Sequence, residues 1–484
     1  MRKINRLLFV YLVAICNVKA QEYKAVIQKA RFLVEAHKTQ TKLPGCQIAV
    51  MVKGKLVWSE GFGFSDLQNR TKVSTKTKFR IASVSKPVTA MALGKLIDQG
   101  KLDIHKDINT YLPSFPKKKF TITTKHLAFS TSGIRHYNSK DKEFNTKEYP
   151  TVLDALKRFE EDPLSFEPGT QFLYSSYGWV LLSAVMEKAS RTSFFNLMQN
   201  TWDALGMKQT SFDFPHKEID QKSRFYVHHK KLGRKLTPFE NRSYMYAGGG
   251  YLSTAEDLVR MGDQLINSNF LNEETKQVLT QPYLLKDGTS TFYGMGWETG
   301  TNRLGTKVFF HSGSLPTSVA HLVIYPEEEV VLAYLSNTGD HVFFNDREAQ
   351  TITELFAEEE GVAMNQAKDV VGSWNITTTS LNDKKTGGTL LLTLNTDGML
   401  HGSISFKRSK KTITCPLIVT TLDTNELHAV AVSPMFIDFY LKFNNDEFMG
   451  KWLHDFNVKG ITEKDAYWKA REITGKKILT DEND

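Results

Sequence analysis

The sequence has few cysteines and, after residue 20, no apolar run long enough to cross a membrane. Three cysteines in 484 residues exclude a disulfide-stabilised scaffold. Two of them, Cys46 and Cys415, fall in separate predicted domains, so we expect buried thiols rather than a disulfide. A composition of 40% hydrophobic and 24% charged residues excludes general disorder, and the length predicts about two or three folded units.

A basic cluster that would bind nucleic acid is also missing. The formal net charge is +9, but four of the basic residues fall within residues 1–20 and the other lysines are spread along the whole chain. No basic block alternates with aromatic residues in the way that a strand-binding groove requires. We therefore expect no nucleic-acid partner.

Two common hydrolase signatures are absent. Without a G-x-S-x-G elbow the chain is not expected to be an α/β-hydrolase. The sequence has no H-E-x-x-H motif and no Cys/His cluster, and the adjacent His228 and His229 would point to opposite sides of a strand. We therefore expect neither a metal nor another cofactor.

The start of the chain has the layout of a secretory signal. A basic beginning is followed by an apolar run from Leu7 to Cys16 and a small-residue exit, which predicts a signal peptide over residues 1–20 with cleavage before Gln21. Ile15 is bulky where lipid anchoring at Cys16 requires a small residue. The mature chain is predicted to be exported, to the periplasm or to the outside of the cell, with no integral membrane segment.

Residues 21–357 have the pattern of an α+β domain. Strand-like segments lie at both ends of a largely helical middle, so the sheet is expected to pair N-terminal with C-terminal strands. The predicted elements are a hairpin around Lys53-Gly54, helices from Ser83 to Gly100 and from Tyr177 to Ser190, three strands between Lys307 and Ser336, and a closing helix from Arg347 to Glu358.

A second domain follows. Residues 358–368 are acidic and polar with no apolar period, which predicts a linker. Short β-rich runs over 369–472, separated by glycine and asparagine turns, predict an antiparallel β sandwich or barrel with a structural role. The lysine-rich and then acidic residues 473–484 are expected to be frayed.

A serine attacks an acyl carbon only if a base removes its proton and donors stabilise the oxyanion. Ser-x-x-Lys at the start of a helix meets the first need, and it occurs as Ser83 to Lys86, Ser114 to Lys117 and Ser139 to Lys142. The second encloses Pro116, and the third lies in a polar run with no apolar face. Only Ser83-Val84-Ser85-Lys86 opens an amphipathic helix, although Ser83 could instead be a helix N-cap.

Two further segments could complete such a site. Tyr174-Ser175-Ser176 precedes the second helix, where the phenol could share a proton with Ser83 and Lys86; the alternative is core packing. His311-Ser312-Gly313-Ser314 follows a strand-like segment, and its small residues would let a substrate backbone lie along that edge. The N–H of Ser314 could point at the same oxyanion as the N–H of Ser83.

In this order the three elements resemble the serine β-lactamase and penicillin-binding-protein superfamily, above all its class C and esterase-like branch. The similarity extends over roughly Gln21 to Ala357 and is closest to mitochondrial β-lactamase-like members and their bacterial relatives. It implies a transpeptidase fold, an antiparallel sheet with flanking helices plus a helical subdomain. The stretches that carry it include Leu43 to Asp66, Phe79 to Pro113, Thr131 to Tyr137, Phe166 to Thr170 and Ala247 to Ser253.

The resemblance also implies roles. Ser83 would be the nucleophile, Lys86 and Tyr174 would share the general-base and general-acid work, and the N–H groups of Ser83 and Ser314 would form the oxyanion hole. The residues implied to bind a small-molecule or peptide substrate are Ser176, His311, Ser312, Gly313 and Ser314. The implied activity is a two-step hydrolysis of an amide or ester, without a metal. The alternative is an inactive relative that binds peptide or cell-wall material or assembles with itself.

Two positions depart from the β-lactamase pattern. Ser176 stands where that pattern has Asn, and His311 replaces a lysine that would face a substrate carboxylate. Both changes weaken the expectation of β-lactam hydrolysis, because an imidazole is mostly neutral near pH 7. The literal Lys385-Thr386-Gly387 lies beyond the linker, where we interpret it as part of a turn.

Overall fold

The computed structural model describes residues 23–138, 141, 147–229, 233–237, 241–302, 305–339, 344–357, 369–379, 385–395, 400–408, 411–432, 436–454 and 471–478. The predicted signal peptide and linker lie outside these ranges. The chain divides into two units, one of residues 43–353 and one that joins the residues up to Lys42 with those from Glu354 onward. Among the described residues, no helix is both long enough and apolar enough to cross a membrane.

The helices, in chain order, are α1 (Lys24–Thr41), α2 (Ser85–Asp98), α3 (Thr124–Ala128), α4 (Val152–Leu156), α5 (Ser176–Ser190), α6 (Phe194–Ala204), α7 (Tyr246–Gly249), α8 (Ala255–Asn267), α9 (Glu273–Thr280) and α10 (Asp346–Ala357). The strands of the larger unit are β1 (Gly45–Val52), β2 (Lys55–Asp66), β3 (Thr71–Lys72), β4 (Phe79–Arg80), β5 (Ser211–Phe212), β6 (Tyr226–His229), β7 (Gly233–Leu236), β8 (Tyr251–Ser253), β9 (Glu298–Thr301), β10 (Lys307–Leu315), β11 (Ser318–Tyr325) and β12 (Val330–Ser336).

The larger unit is built on a seven-stranded antiparallel sheet in the order β3-β2-β1-β12-β11-β10-β9. The first and last strands of the domain meet at its centre, where Val50 lies opposite Leu332. The β1–β2 hairpin turns at Lys53 and Gly54, which both have positive φ, as a tight two-residue turn requires. The α+β fold predicted from the sequence is confirmed.

Helices cover both faces of this sheet. On one face, α8 approaches closely at Gly262, where a Cβ would lie 2.5 Å from Val331 Cγ1. On the other face, His321 of β11 bonds through Nδ1 to Asp346 at the start of α10, at 3.0 Å. The core helix α2 is buried on nearly every side, so each of its large apolar side chains contributes about 1.5–3 kcal/mol of hydrophobic free energy.

The smaller unit contains a closed barrel, which settles the open choice between a sandwich and a barrel. The eight strands are β13 (Gly372–Thr379), β14 (Lys385–Leu394), β15 (Leu400–Arg408), β16 (Lys411–Asp423), β17 (Glu426–Val432), β18 (Phe436–Asn444), β19 (Glu447–His454) and β20 (Arg471–Lys477). Cys415 is a buried thiol here rather than part of a disulfide, as Cys46 is in the larger unit, and this agrees with the expectation from the sequence.

Two predicted boundaries differ from the structure. Helix α1, assigned above to the hydrolase domain, belongs to the barrel unit, where Lys29 Nζ donates to the Thr420 carbonyl at 3.2 Å. An amphipathic pattern does not reveal which surface covers the apolar face. The frayed tail predicted from residue 473 is wrong as far as Lys477, because β20 closes the barrel between β13 and β19.

Candidate active site

Ser83 lies in a 3₁₀ turn, Ala82–Val84, that leads directly into α2. Ala82 has a left-handed backbone with φ 45°, which costs a non-glycine residue roughly 1–2 kcal/mol. Ser83 is not the helix cap, because the N-cap position of α2 is Val84 and no side chain caps the first turn. Its hydroxyl instead accepts a hydrogen bond from Lys86 Nζ at 3.2 Å.

Lys86 is fully buried and its amine is held by three oxygens. Besides Ser83, Nζ donates to Ser176 Oγ at 3.1 Å and to the Gly248 carbonyl at 2.7 Å. All three partners are uncharged, so nothing among them compensates a buried ammonium. Burial accordingly lowers the pKa of Lys86 well below its ordinary 10.5, which favours the neutral amine over the ammonium.

Tyr174 joins the same group from the segment before α5. Its ring centroid lies 4.6 Å from Lys86 Nζ. Burial raises the pKa of Tyr174 above its ordinary 10.0, an effect that a hydrogen bond with Ser83 partly offsets. The phenol is therefore protonated over the physiological range and can donate, while the neighbouring lysine is tuned to accept.

The edge of β10 lies directly against the Ser83 turn, as the small residues of His311 to Ser314 suggested. A Cβ on Gly313 would lie 2.2 Å from the Ile81 carbonyl oxygen and 3.0 Å from Ser83 N, so only glycine permits this approach. β10 pairs with β11 along one edge, and along its other edge it pairs with β9 only as far as Phe310. In the described part of the sheet the other edge of β10 is therefore open to an extended ligand.

His311 and Ser176, which the resemblance implies to bind substrate, are both buried. His311 is 2% exposed; its Nδ1 lies 2.7 Å from the Ser312 carbonyl oxygen and its Nε2 lies 3.2 Å from Tyr293 Oη. Ser176 is fully buried with its hydroxyl on Lys86. The serine that stands in place of the Asn of the β-lactamase pattern thus contacts Lys86.

Sequence reasoning missed two neighbours of this group. His136 Nδ1 accepts from the Ser176 N–H at 3.0 Å, and its ring packs edge-on to Tyr174 at 5.8 Å. Tyr293 was missed although it precedes Gly294-Met295-Gly296, where a Cβ on Gly296 would lie 2.8 Å from Trp179. Such paired glycines signal close packing, but they do not say against which residues.

The rejected motifs fall elsewhere. Lys385-Thr386-Gly387 lies on β14 of the barrel, paired with β13, rather than in the turn that we expected. Ser114 and Lys117 are in no helix, and Ser139 to Lys142 falls largely outside the described residues. Within the part of the chain that the structure describes, no group of three or more His, Cys, Asp or Glu could hold a metal ion.

Comparison with known proteins identifies the family. Residues 30–355 match the Beta-lactamase family. The human protein "Serine beta-lactamase-like protein LACTB, mitochondrial" is 30% identical over 63% of this chain and 73% of its own length. "Protein flp" of Staphylococcus aureus (strain N315) is 26% identical over 78% of this chain and 76% of its own.

Solved structures show the same fold. The octameric penicillin-binding protein homologue from Pyrococcus abyssi aligns with a TM-score of 0.59 and 21% identity over 92% of this chain and 99% of its own. "EstCE1, a hydrolase with promiscuous acyltransferase activity" aligns with a TM-score of 0.58 and 18% identity over 70% of this chain and all of its own, 100%. At these identities the likeness concerns the fold alone.

Proposed function

The chain belongs to the Beta-lactamase family, a family of serine hydrolases, and from that premise we propose that it cleaves an amide or ester bond through an acyl-enzyme on Ser83. The observation that supports this most strongly is the 3.2 Å contact between Ser83 Oγ and the amine of the buried Lys86. The lowered pKa of Lys86 favours the neutral amine, whose two N–H groups donate to Ser176 and Gly248. Its lone pair then accepts a hydrogen bond from the Ser83 hydroxyl, which activates that hydroxyl as a nucleophile.

In the first step Lys86 accepts the Ser83 proton while Oγ attacks the carbonyl carbon. The tetrahedral oxyanion accepts hydrogen bonds from the N–H groups of Ser83 and Ser314. Tyr174 then donates its proton to the leaving nitrogen or oxygen, the bond to that atom breaks, and Lys86 returns its proton to the phenolate. In the second step water adds to the acyl carbon, Ser83 leaves as the hydroxyl, and a carboxylic acid is released.

β-Lactam hydrolysis is proposed to be weak or absent. The Ser176 hydroxyl contacts Lys86, and His311 is buried with both ring nitrogens near protein oxygens. The β-lactamase pattern supplies a side-chain amide and an ammonium for the substituents of a β-lactam. Ser176 offers no amide, and His311 offers no ammonium. We also propose export directed by residues 1–20, which rests on the sequence alone.

The test uses the mature chain and a panel of p-nitrophenyl esters, D-amino acid amides and nitrocefin, together with a fluorophosphonate probe. Ser83→Ala is expected to abolish turnover and labelling, whereas Ser114→Ala, in the motif outside any helix, is the matched control and should leave both unchanged. Labelling that persists in Ser83→Ala would remove Ser83 from this role. A folded wild type that turns over no substrate would favour the binding or self-assembling alternative.

A further inference from the structure

Tyr293 packs against both the candidate acid, Tyr174, and His311 of β10, whose rings also contact each other. It is 2% exposed, and its ring packs edge-on to Tyr174 with centroids 6.1 Å apart and to His311 with centroids 6.0 Å apart. Its hydroxyl lies 3.2 Å from His311 Nε2. A phenol buried in this way needs a hydrogen-bond partner, and His311 supplies one.

The partners of the imidazole fix its tautomer. His311 Nδ1 lies 2.7 Å from the carbonyl oxygen of Ser312, and a carbonyl oxygen can only accept, so Nδ1 carries the proton. In the neutral ring Nε2 is then a bare acceptor, and the Tyr293 O–H donates to it. Both nitrogens are thereby engaged within the protein, and neither is left to bind a substrate carboxylate.

The ionisable groups around His311 come from four segments of the chain. Tyr293 and Tyr174 are phenols whose pKa values are raised by burial, and Glu298 of β9, paired with Phe310, raises both further. Lys86 lies behind the Tyr174 ring. A carboxylate on Glu298, which lies opposite the neighbour of His311 in sequence, would favour an imidazolium, so its contribution has to be separated from that of Tyr293.

We infer that Tyr293 is a positioning residue that determines substrate charge. By donating to His311 Nε2 it stabilises the neutral imidazole and occupies that nitrogen, so that the site takes acyl compounds without a carboxylate beside the scissile bond. This rests on the proposed hydrolysis at Ser83, and it names the class of substrate: neutral esters and amides rather than acyl donors that end in a free carboxylate.

The experiment compares two thioesters that differ in one group, hippuryl thioglycolate and its carboxamide, with thiol release followed at pH 5.5 to 8. The wild type is expected to use the carboxamide at least as well as the carboxylate at every pH. In Tyr293→Phe, Nε2 can be protonated when a carboxylate binds beside it. The ratio of kcat/KM for the carboxylate thioester to kcat/KM for the carboxamide thioester should therefore rise about tenfold at pH 5.5. His311→Lys should show that preference at every pH.

Three variants separate this role from a structural one. A phenylalanine that merely loosened packing would lower kcat/KM for both thioesters equally and leave their ratio unchanged. Tyr283→Phe, on the same loop but packed against Phe129, should leave the ratio as in the wild type. Glu298→Gln, added to Tyr293→Phe, should reduce the preference for the carboxylate thioester at pH 5.5 without removing it.

A second readout does not need turnover. Imidazole ¹⁵N shifts of the mature protein, with His311 assigned by comparison with His311→Gln, should report a protonated Nδ1 and a bare, hydrogen-bonded Nε2 at pH 7. In Tyr293→Phe the Nε2 shift should move to that of an unbonded acceptor. A proton on Nε2 in the wild type, or a wild-type preference for the carboxylate thioester, would overturn the inference. If neither thioester is turned over, the proposed hydrolysis is refuted instead. The ¹⁵N shifts would then still decide the role of Tyr293.

Discussion

Gly313 and Ile81 are so close that a methyl group at position 313 would lie 2.2 Å from the Ile81 carbonyl oxygen. This contact places one face of β10 directly against the turn that carries Ser83. The position of the candidate oxyanion donor at Ser314 relative to Ser83 therefore depends on the absence of one carbon atom.

Gly313→Ala is expected to push β10 from the turn and lower kcat/KM for ester hydrolysis by about a hundredfold, the effect of a misplacement of roughly 1 Å. Gly300→Ala is the matched control, because Gly300 lies on the neighbouring strand β9 and its Cβ would meet Val308 at an ordinary 3.7 Å. Steady-state kinetics with thermal melts of both variants check this. Equal activities in the two folded variants would contradict it.

The pH dependence follows from the buried lysine. Lys86 must be neutral to accept the Ser83 proton, and burial lowers its pKa well below 10.5. The kcat/KM profile should therefore rise with pH through the lowered pKa and be fully developed well below pH 10.5. Lys86→Arg, which stays protonated, should lose about a thousandfold at every pH; an Arg variant with near wild-type rates would show that Lys86 is not the base.

The same shift predicts a pH-dependent stability. Between the lowered pKa of Lys86 and its unfolded value near 10.5, the unfolded chain binds more protons than the folded one, so the free energy of unfolding rises with pH. Lys86→Met removes this contribution. Urea titrations should show the wild type gaining stability relative to Lys86→Met as pH rises toward 10.5, and a constant difference would mean that the pKa is unshifted.

Tyr174 is predicted to act as an acid on the leaving group. Its pKa is raised by burial, so it holds its proton throughout the working range. Tyr174→Phe should lower the hydrolysis of D-amino acid amides by about a hundredfold or more, but p-nitrophenyl esters much less, because p-nitrophenolate leaves without protonation. Equal losses on both substrates would assign Tyr174 a role in activating Ser83 instead.

The last strand of the barrel is predicted to be essential for that unit. Removing residues 471–484 takes away β20 and exposes the edges of β13 and β19, which β20 joins. The truncated chain should lose cooperative unfolding of the barrel unit or aggregate. A chain that ends at Ile478 keeps β20 and serves as the control; full stability of the shorter chain would show that the closure is dispensable.

Much of the larger unit could be predicted because its signals are local. The Lys53-Gly54 turn, the helix after Ser83 and the strands between Lys307 and Ser336 each follow from nearby residues, and the structure has each of them. The left-handed conformation of Ala82 could not be predicted, because alanine disfavours it intrinsically.

The remaining differences concern tertiary partners. The polar segment of β20, Arg471–Lys477, resembles a loose tail until its two neighbouring strands are known. Tyr293 and Ser176 are ordinary in sequence, and their contacts with His311 and Lys86 arise only where distant segments meet. A linear pattern identifies the residues that could react, but not the side chains that orient them.

Intact-mass spectrometry of the mature protein mixed with an ester that deacylates slowly is the most direct test of an acyl-enzyme on Ser83. A mass increase equal to the acyl group, mapped by peptide digestion to Ser83 and absent from Ser83→Ala, is the predicted result. An acyl group on another residue, or ester hydrolysis that proceeds in Ser83→Ala at the wild-type rate, would contradict it.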